Sequence, residues 1–585
     1  MQNPVAAMRF APSYLKRVLR ERVLHEPWLY VQLDPLVRRY VSRKHRLRKI
    51  SLPEVCRLRD QLDDLLNNRL TVLGKTLDFG NKIDWYADFE GGEWPRLPSY
   101  QYKQFCANDF SLPQYRKHGD IKRVWDLNNQ HHFVQLAWAY KESHDPKFQN
   151  QLLSQFVDWI STFPYDYGIG WSQSMTVTHR AINWIICYNL GVFPQELHAL
   201  LTGFLFYHGK YLSQNLSISY TGRNNNHIIG ELAALHLIGL TLQKRDWTNN
   251  SLKMLLREIN KQVYEDGVHY EQSSGYHRLV LEFLALVWYA NGRRPELLTE
   301  VIFRMSKFLN DIAREDGTLP FLSDWDGASV WVLDKHRPTE LLMLGRRSSA
   351  SVAYPQGGYY ILNGSPFRLI FDCGPVGMGA KRLVTHGHSD LLSFCLDVES
   401  EPFIVDPGSG TYSENRKIHD YFRSTCGHNT ITVDGRDQCG LAGTWTLKRH
   451  PHAKVLFWKS TEDRDLVCGE HDGYQPITHR REIELVKRPT PFIRMYDDIL
   501  GDGVHSYQSY LHLSPNVTAE ISGTTVKLLS SKSHLQVAFE PTLTVREVTG
   551  LFAPDYGKLV EVPVLVFEGK SSVPTRIGWK YTPCS

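Results

Sequence analysis

The chain has no Cys-x-x-Cys pair, no long apolar run and no strong excess of charge of either sign. Its nine cysteines are scattered from Cys56 to Cys584. An odd, unpatterned set argues against a disulfide framework and against a thiolate zinc site, and fits mostly free, buried thiols. No stretch approaches the roughly 18 apolar residues of a membrane span. The opening residues, MQNPVAAMRFAPSYLKRVLRERVLHEPW, hold no apolar segment followed by a small-residue cleavage site. The expectation is a soluble chain with no transmembrane segment and no visible export signal, its compartment left open. A net charge of +5 over 585 residues is too weak for the concentrated basic footprint of a nucleic-acid binder. It leaves room for a basic cleft that attracts an acidic polymer.

What is present is an ordinary globular composition, 42% hydrophobic and 22% charged, in a chain too long for one core, so two or three domains are expected. Aromatics reach 12%, with 15 Trp and 29 Tyr. They serve either a large core or a carbohydrate cleft, since the C–H faces of sugars stack on flat rings.

Three segments follow. Residues 1–105 are basic, helical and irregular; Leu15, Val18, Leu19 and Val23 recur at helical spacing. A solvated helical face is the simpler reading, and contact with anionic lipid or an acidic polymer the alternative. Residues 106–348 are helical, with apolar runs such as Ile228–Leu242 and Leu279–Tyr289 separated by turn residues, as in serial helix pairs of a solenoid or toroid. Residues 349–585 hold short β-rich runs: Tyr359–Leu362, Phe367–Phe371, Ser393–Val398, Thr430–Val433, Val455–Trp458, Glu482–Val486, Phe492–Tyr496 and Val526–Leu529. The fold class expected is a multidomain α+β chain, helices first and an antiparallel β-sandwich after.

Chemistry-bearing residues gather in a few blocks. Thr385–Gln438 contains His386, His388, Asp390, Asp406, His419 and His428 among alternating apolar residues. His386, His388, Asp406 and His428 form a set from which three ligands of His/Asp/His type would suit Zn²⁺ or a similar ion. Asn224-Asn225-Asn226-His227 opens a helix that also carries Glu231; three Asn exceed what capping requires, and amides at a helix start can receive a carboxylate. In DGVHYEQSSGYHRLVLEF, Tyr276 is a candidate proton donor or acceptor. Weaker candidates are Trp171 with Arg180 and Trp184, Trp125 with Asn128 and Asn129, and the loop Phe321–Gly327, where Asp324 and Asp326 suit a cation or a simple turn.

The blocks GIGW…HRAINW, NNNHIIGE, DGVHYEQSSGYH, THGHSD, VDPGSGTY and HNT-x-x-VDG-x-x-Q, in this order, resemble the heparinase II/III family of polysaccharide lyases, which also includes alginate and oligoalginate lyases. The resemblance covers about residues 120–500. It implies an incomplete (α/α) toroid followed by the β-sandwich, and an anionic polysaccharide partner: glycosaminoglycan, alginate or bacterial exopolysaccharide. Asn226 would neutralise the uronate carboxylate, and His227 would lie near the reacting sugar. Tyr276 would be the acid and, in one version, also the base. His386 would complete the site. His388, Asp406 and His428 would hold a structural Zn²⁺ that fixes the loop carrying His386. Trp171, Arg180, Glu231, Glu271 and Arg278 are the substrate-binding candidates. Relatives are commonly exported.

The chain departs from the family pattern at Asp126 with Asn128-Asn129, at Thr176, and at Gly327-Ala328, so the substrate is less well specified than the reaction. β-Elimination removes the C5 proton beside the carboxylate and expels the C4 oxygen. Amide and imidazolium donors stabilise the enolate-like anion. A base and an acid complete the step; His227 and His386 are both candidates for a base facing Tyr276. The alternatives from other classes are a glycoside hydrolase using Asp324 and Asp326 and a non-catalytic glycan-binding protein of a polysaccharide assembly system.

Overall fold

The computed structural model describes residues 37–38, 41, 47–53, 62–102, 118–219, 223–330, 345–378, 386–412 and 414–584. The expected basic helix around Leu15–Val23 lies outside the described residues. The chain forms two compact units. One holds the described residues up to Ile259, with Glu282–Thr299 and the stretch from Ser329; the other holds Asn260–Leu281, Glu300–Ala328 and the described residues from 345 onward.

The first unit is a succession of helices, the body of the expected toroid: Ile121–Asn129, His131–Ser143, Pro146–Thr162, Ser174–Asn189, His198–Gln214, Asn226–Thr241 and most of Arg245–Gln262. Local chemistry sets their starts. Asp120 and Asp145 cap the first and third through their carboxylates, and Pro146 occupies a first-turn position where no amide hydrogen is needed. Ser174–Asn189 and Asn226–Thr241 are buried on nearly every side, so their apolar residues show no single face.

Among the described residues the second unit carries three large antiparallel sheets and a two-stranded one, Leu441–Gly443 with Thr446–Leu447. Five strands run in sequence order from Val352–Tyr354 to Glu401–Ile404. Four more pair as Thr544–Asp555, Lys558–Ser572, Val504–His512 and Ile431–Val433. The eight-stranded sheet runs Ala453–Ser460, Arg464–Tyr474, Ile477–Val486, Phe492–Leu500, Thr575–Cys584, His534–Phe539, Thr525–Leu529 and Thr518–Ser522. The strand Thr575–Cys584 therefore lies inside the sheet, between partners made much earlier in the chain. One apolar core joins the three large sheets, with Leu369 and Leu396, Leu511 and Phe567, and Ile483, Ile493 and Val537 from the three of them. All eight β-rich runs read from the sequence lie on or overlap strands.

Ile477–Val486 alternates strictly between buried and half-buried residues, which turns His479 and Arg481 inward beside Ile483 and Leu485. Asp497 on the next strand receives both: Arg481 donates to its two oxygens at 2.7 and 3.1 Å, His479 lies 2.8 Å away, and Trp579 donates at 3.0 Å. Burial opposes the Asp497 charge, but Arg481 and His479 hold its carboxyl well below the usual range. The remaining Arg481 nitrogen, Nη1, donates to the carbonyls of Leu392 and Asn429, at 2.6 and 2.7 Å. Arg481 thus ties two loops to the sandwich interior. Arg481→Met is expected to lower the unfolding free energy by about 3–5 kcal/mol, because a buried carboxylate loses its guanidinium. Denaturant titration measures this, and a loss below about 1 kcal/mol would show the pair to be no more than a surface-strength contact.

Candidate active site

The turn at Asp266-Gly267 precedes the helix Ser274–Ala290. Gly267 has φ of +93°, and a Cβ there would lie 2.4 Å from the Arg304 carbonyl oxygen, so only glycine fits. Ser273 caps the helix, its hydroxyl accepting from the Tyr276 amide at 3.1 Å. Tyr276 is thereby fixed in the first turn and is 6% exposed. Its phenol donates to Asp326 at 2.7 Å and lies 3.2 Å from the Tyr412 hydroxyl. Burial, Asp326 and Asp324 push the phenol well above its usual range, so it stays protonated. His277 has a local role: Nδ1 accepts from the His269 amide, Nε2 faces the Met305 carbonyl, and burial lowers it to about 4.

The ring of Tyr276 lies face to face with His386, centroids 3.4 Å apart and planes 11° from parallel. Trp445 approaches His386 edge-on at 5.4 Å. His386 Nδ1 is 2.8 Å from Asp324 Oδ2, and His388 Nε2 is 2.9 Å from Asp324 Oδ1. One carboxylate therefore joins both histidines of HGH. Burial opposes its charge, but these two hydrogen bonds hold Asp324 well below the usual carboxylate range. On the intervening peptide, Arg423, fully buried, donates to the Gly387 carbonyl at 2.8 Å, and the Ser389 amide donates to the Arg423 carbonyl at 3.0 Å. Glu271 is fully buried, with its carboxylate 3.8 Å from His386 Nε2. Arg278, expected at a binding surface, is fully buried: it donates to the Ala328 carbonyl and lies over Trp325.

Behind this pair, His388, Asp390 and His428 offer ligand atoms within 4.8 Å of one another. His388 Nδ1 and His428 Nε2 are buried without hydrogen-bond partners, which leaves both nitrogens open to a cation. The carboxylate grouped with the imidazoles is Asp390 rather than the expected Asp406. Asp406 sits on the other side of His428, 2.8 Å from Nδ1, where a carboxylate orients a ligating imidazole. Burial lowers His388 and keeps it neutral, the ligating form. Burial also opposes charge on His428, but Asp406 and Asp390 outweigh it and raise that ring to about 9. Carboxylates so placed favour positive charge, and the donor set fits a divalent ion of the Zn²⁺ type.

The remaining predicted residues lie in the first unit. Asn224 and Asn225 use their side chains locally: Asn224 accepts from Ser219 and donates to Glu258, and Asn225 caps the helix at the His227 amide. Asn226 is buried as the first helical residue, and His227 is half-buried. Glu231 is not open to a ligand: it accepts from the Ser174 hydroxyl and from the amide and hydroxyl of Ser217, at 2.5–2.7 Å, and burial raises it to about 7. Arg180 is fully buried, against the expectation of an exposed cation. It donates to His208 and to the Asn128 carbonyl and lies over Trp159, 4.0 Å from the ring centre, in a cluster that includes Trp171.

Sequence reasoning treated Asp324 and Asp326 as a turn, a cation site or hydrolase acids, and gave Tyr412, Arg423 and Trp445 no role. The signal for Asp324 was its Asp-x-Asp-Gly loop, which says nothing about two histidines 62 and 64 residues away.

Two family models match in tandem, the heparinase II/III N-terminus over residues 73–336 and the heparinase II/III-like C-terminal region over 346–580. A heparin-sulfate lyase of Bacteroides stercoris is 21% identical over 437 residues, 65% of this chain and 62% of that protein. A heparin-sulfate lyase of Pedobacter heparinus is 21% identical over 497 residues, 76% of this chain and 71% of that one. The chain thus spans less than two thirds of the Bacteroides relative. In fold, it is similar to the crystal structure of heparinase III, with a TM-score of 0.69, 17% identity and coverage of 100% of this chain and 94% of that one. Helical and β-rich regions alike are matched, and the chain belongs to the heparinase II/III family.

Proposed function

We propose that this protein is a polysaccharide lyase that cleaves a uronic-acid-containing glycosaminoglycan by β-elimination. The observation that carries this reading is a phenol held protonated, Tyr276, face to face with an imidazole braced by Asp324. A protonated phenol is the form that donates to the leaving C4 oxygen. Rings 3.4 Å apart leave no room for a sugar between them, so Tyr276 and His386 act from one side of the substrate. His386 is then a partner of Tyr276, and His227 is the proposed base where one separate from this pair is needed. Asn226 is the proposed donor to the uronate carboxylate, where neutralisation lets the C5 proton leave. The names of the relatives, heparin-sulfate lyases, support a substrate of that class.

The pattern disfavours a paired-carboxylate hydrolase. Asp324 is engaged by two imidazoles, and Asp326 by the Tyr276 phenol and the Ala328 amide. Neither is left as a general acid. Incubation with a panel of acidic polysaccharides tests the proposal: elimination yields an ultraviolet-absorbing C4–C5 unsaturated uronate, and cleavage that only adds water would overturn it.

His388, Asp390 and His428 would hold a structural Zn²⁺ ion, with Asp406 and Asp324 orienting the two imidazoles. The ion would supply positive charge among buried carboxylates, and the protein would thereby keep the His386 loop in place. Removing the metal with a chelator is expected to lower stability by about 4 kcal/mol relative to protein with Zn²⁺ a thousandfold above Kd. Thermal unfolding with and without chelator measures this, and an unchanged Tm would remove the structural role.

A further inference from the structure

The oxygens of Asp324 contact different imidazoles, Nδ1 of His386 at 2.8 Å and Nε2 of His388 at 2.9 Å. A carboxylate only accepts, so each of these nitrogens has to carry a proton. This leaves Nε2 as the nitrogen by which His386 can act beside Tyr276. It also leaves Nδ1 of neutral His388 as a lone pair, on the side of Asp390 and His428.

Asp324 is itself immobilised. Its amide donates to the His386 carbonyl at 3.2 Å, its carbonyl accepts from the Ser273 hydroxyl at 2.7 Å, and the next amide, of Trp325, donates to Ser409 at 3.0 Å. Resting on the lyase and metal-site readings above, we infer that Asp324 is a positioning residue that sets the tautomers of a reacting imidazole and of a metal ligand together. Metal retention and the orientation of His386 are then linked through one carboxylate.

Asp324→Asn separates the two demands, because an amide offers one acceptor and one donor where two acceptors are needed. One ring keeps its proton toward residue 324, and the other has to turn a lone pair to the amide. If that ring is His388, its Nδ1 is protonated and cannot ligate. If it is His386, the exchangeable proton moves to the wrong nitrogen.

The test uses the full chain with ¹⁵N-labelled histidine, observed by NMR, together with Zn²⁺ titration against a chelating competitor. In the unmodified protein both rings are expected to be protonated toward Asp324. In D324N, either the Zn²⁺ affinity falls about 10–100-fold or the His386 tautomer reverses. The kcat falls at nearly constant KM, by on the order of 10⁴ if the effect matches that of an amide behind the catalytic histidine of serine proteases. An unmodified His386 without a proton on Nδ1 overturns the inference, whether or not the variant folds. So does a D324N protein with unchanged tautomers and unchanged Zn²⁺ affinity. The NMR and metal readouts need no turnover. A chain with both rings locked as described but no unsaturated product from any uronate polymer would sink the lyase reading and leave the role of Asp324 standing.

Discussion

Replacing Tyr276 by Phe is expected to lower kcat on a uronate polymer by about 10²–10⁴-fold, the contribution of a positioned proton donor, with little change in KM. The substitution keeps the ring and its stacking on His386, so the shape of the site survives. What is lost is one hydroxyl, with its hydrogen bonds to Asp326 and Tyr412. The stability cost of such a loss is only about 1–3 kcal/mol. Initial rates of ultraviolet absorbance, with near-ultraviolet circular dichroism as a folding control, decide the matter. A Y276F protein that retains more than about a tenth of its activity would remove the phenol from the proton transfers.

Changing His386 to Ala is expected to lower kcat/KM by a similar 10²–10⁴-fold, for a different reason. The imidazole is held on one face by Tyr276, on its Nδ1 edge by Asp324, and beside Trp445. Its removal opens a gap against the Tyr276 ring and frees one oxygen of Asp324. The remaining bond to His388 is kept, so Zn²⁺ binding is expected to survive while turnover does not. Loss of the metal along with turnover would show that His386 acts through the structure and not on the sugar. Under a shared-proton mechanism, the double change Y276F/H386A should cost much less than the product of the single effects.

The order of architecture was legible in the residues because periodicity changes once, from helical spacing to short alternating runs, near the Arg346–Gly358 stretch. Strand positions were legible for the same reason: Ile483 and Leu485 alternate with outward Glu482 and Glu484. Inward His479 and Arg481 break that pattern, and no local rule finds Asp497 as their partner, since pairing lies across strands. At the site, Tyr276 and His386 stand in motif blocks that are visible in the sequence. The contacts of Asp324 are not legible in the sequence, because one carboxylate serving two imidazoles is a property of folded loops, not of spacing. Which of Asp390 and Asp406 groups with the two imidazoles is not legible either: both are carboxylates in the same segment, and the direction of the His428 ring puts Asp406 at its Nδ1 and Asp390 near its other nitrogen. Arg180 and Arg278 read as cations open to substrate because Arg is seldom fully buried. Here backbone carbonyls and Trp rings receive them.

The place of Thr575–Cys584 within the eight-stranded sheet bears on how the protein is made. Phe492–Leu500 and His534–Phe539 wait for that strand, and Trp579 on it completes the shell of Asp497. During synthesis, the strands that support Arg481, and through it the Leu392 and Asn429 loops, have an open seam until the strand emerges. Such late, non-local pairing folds slowly and exposes strand edges meanwhile. Nascent chains arrested before Thr575 should therefore bind chaperones and resist refolding, and a fusion or truncation at this strand would disturb the Leu392 and Asn429 loops through Asp497 and Arg481.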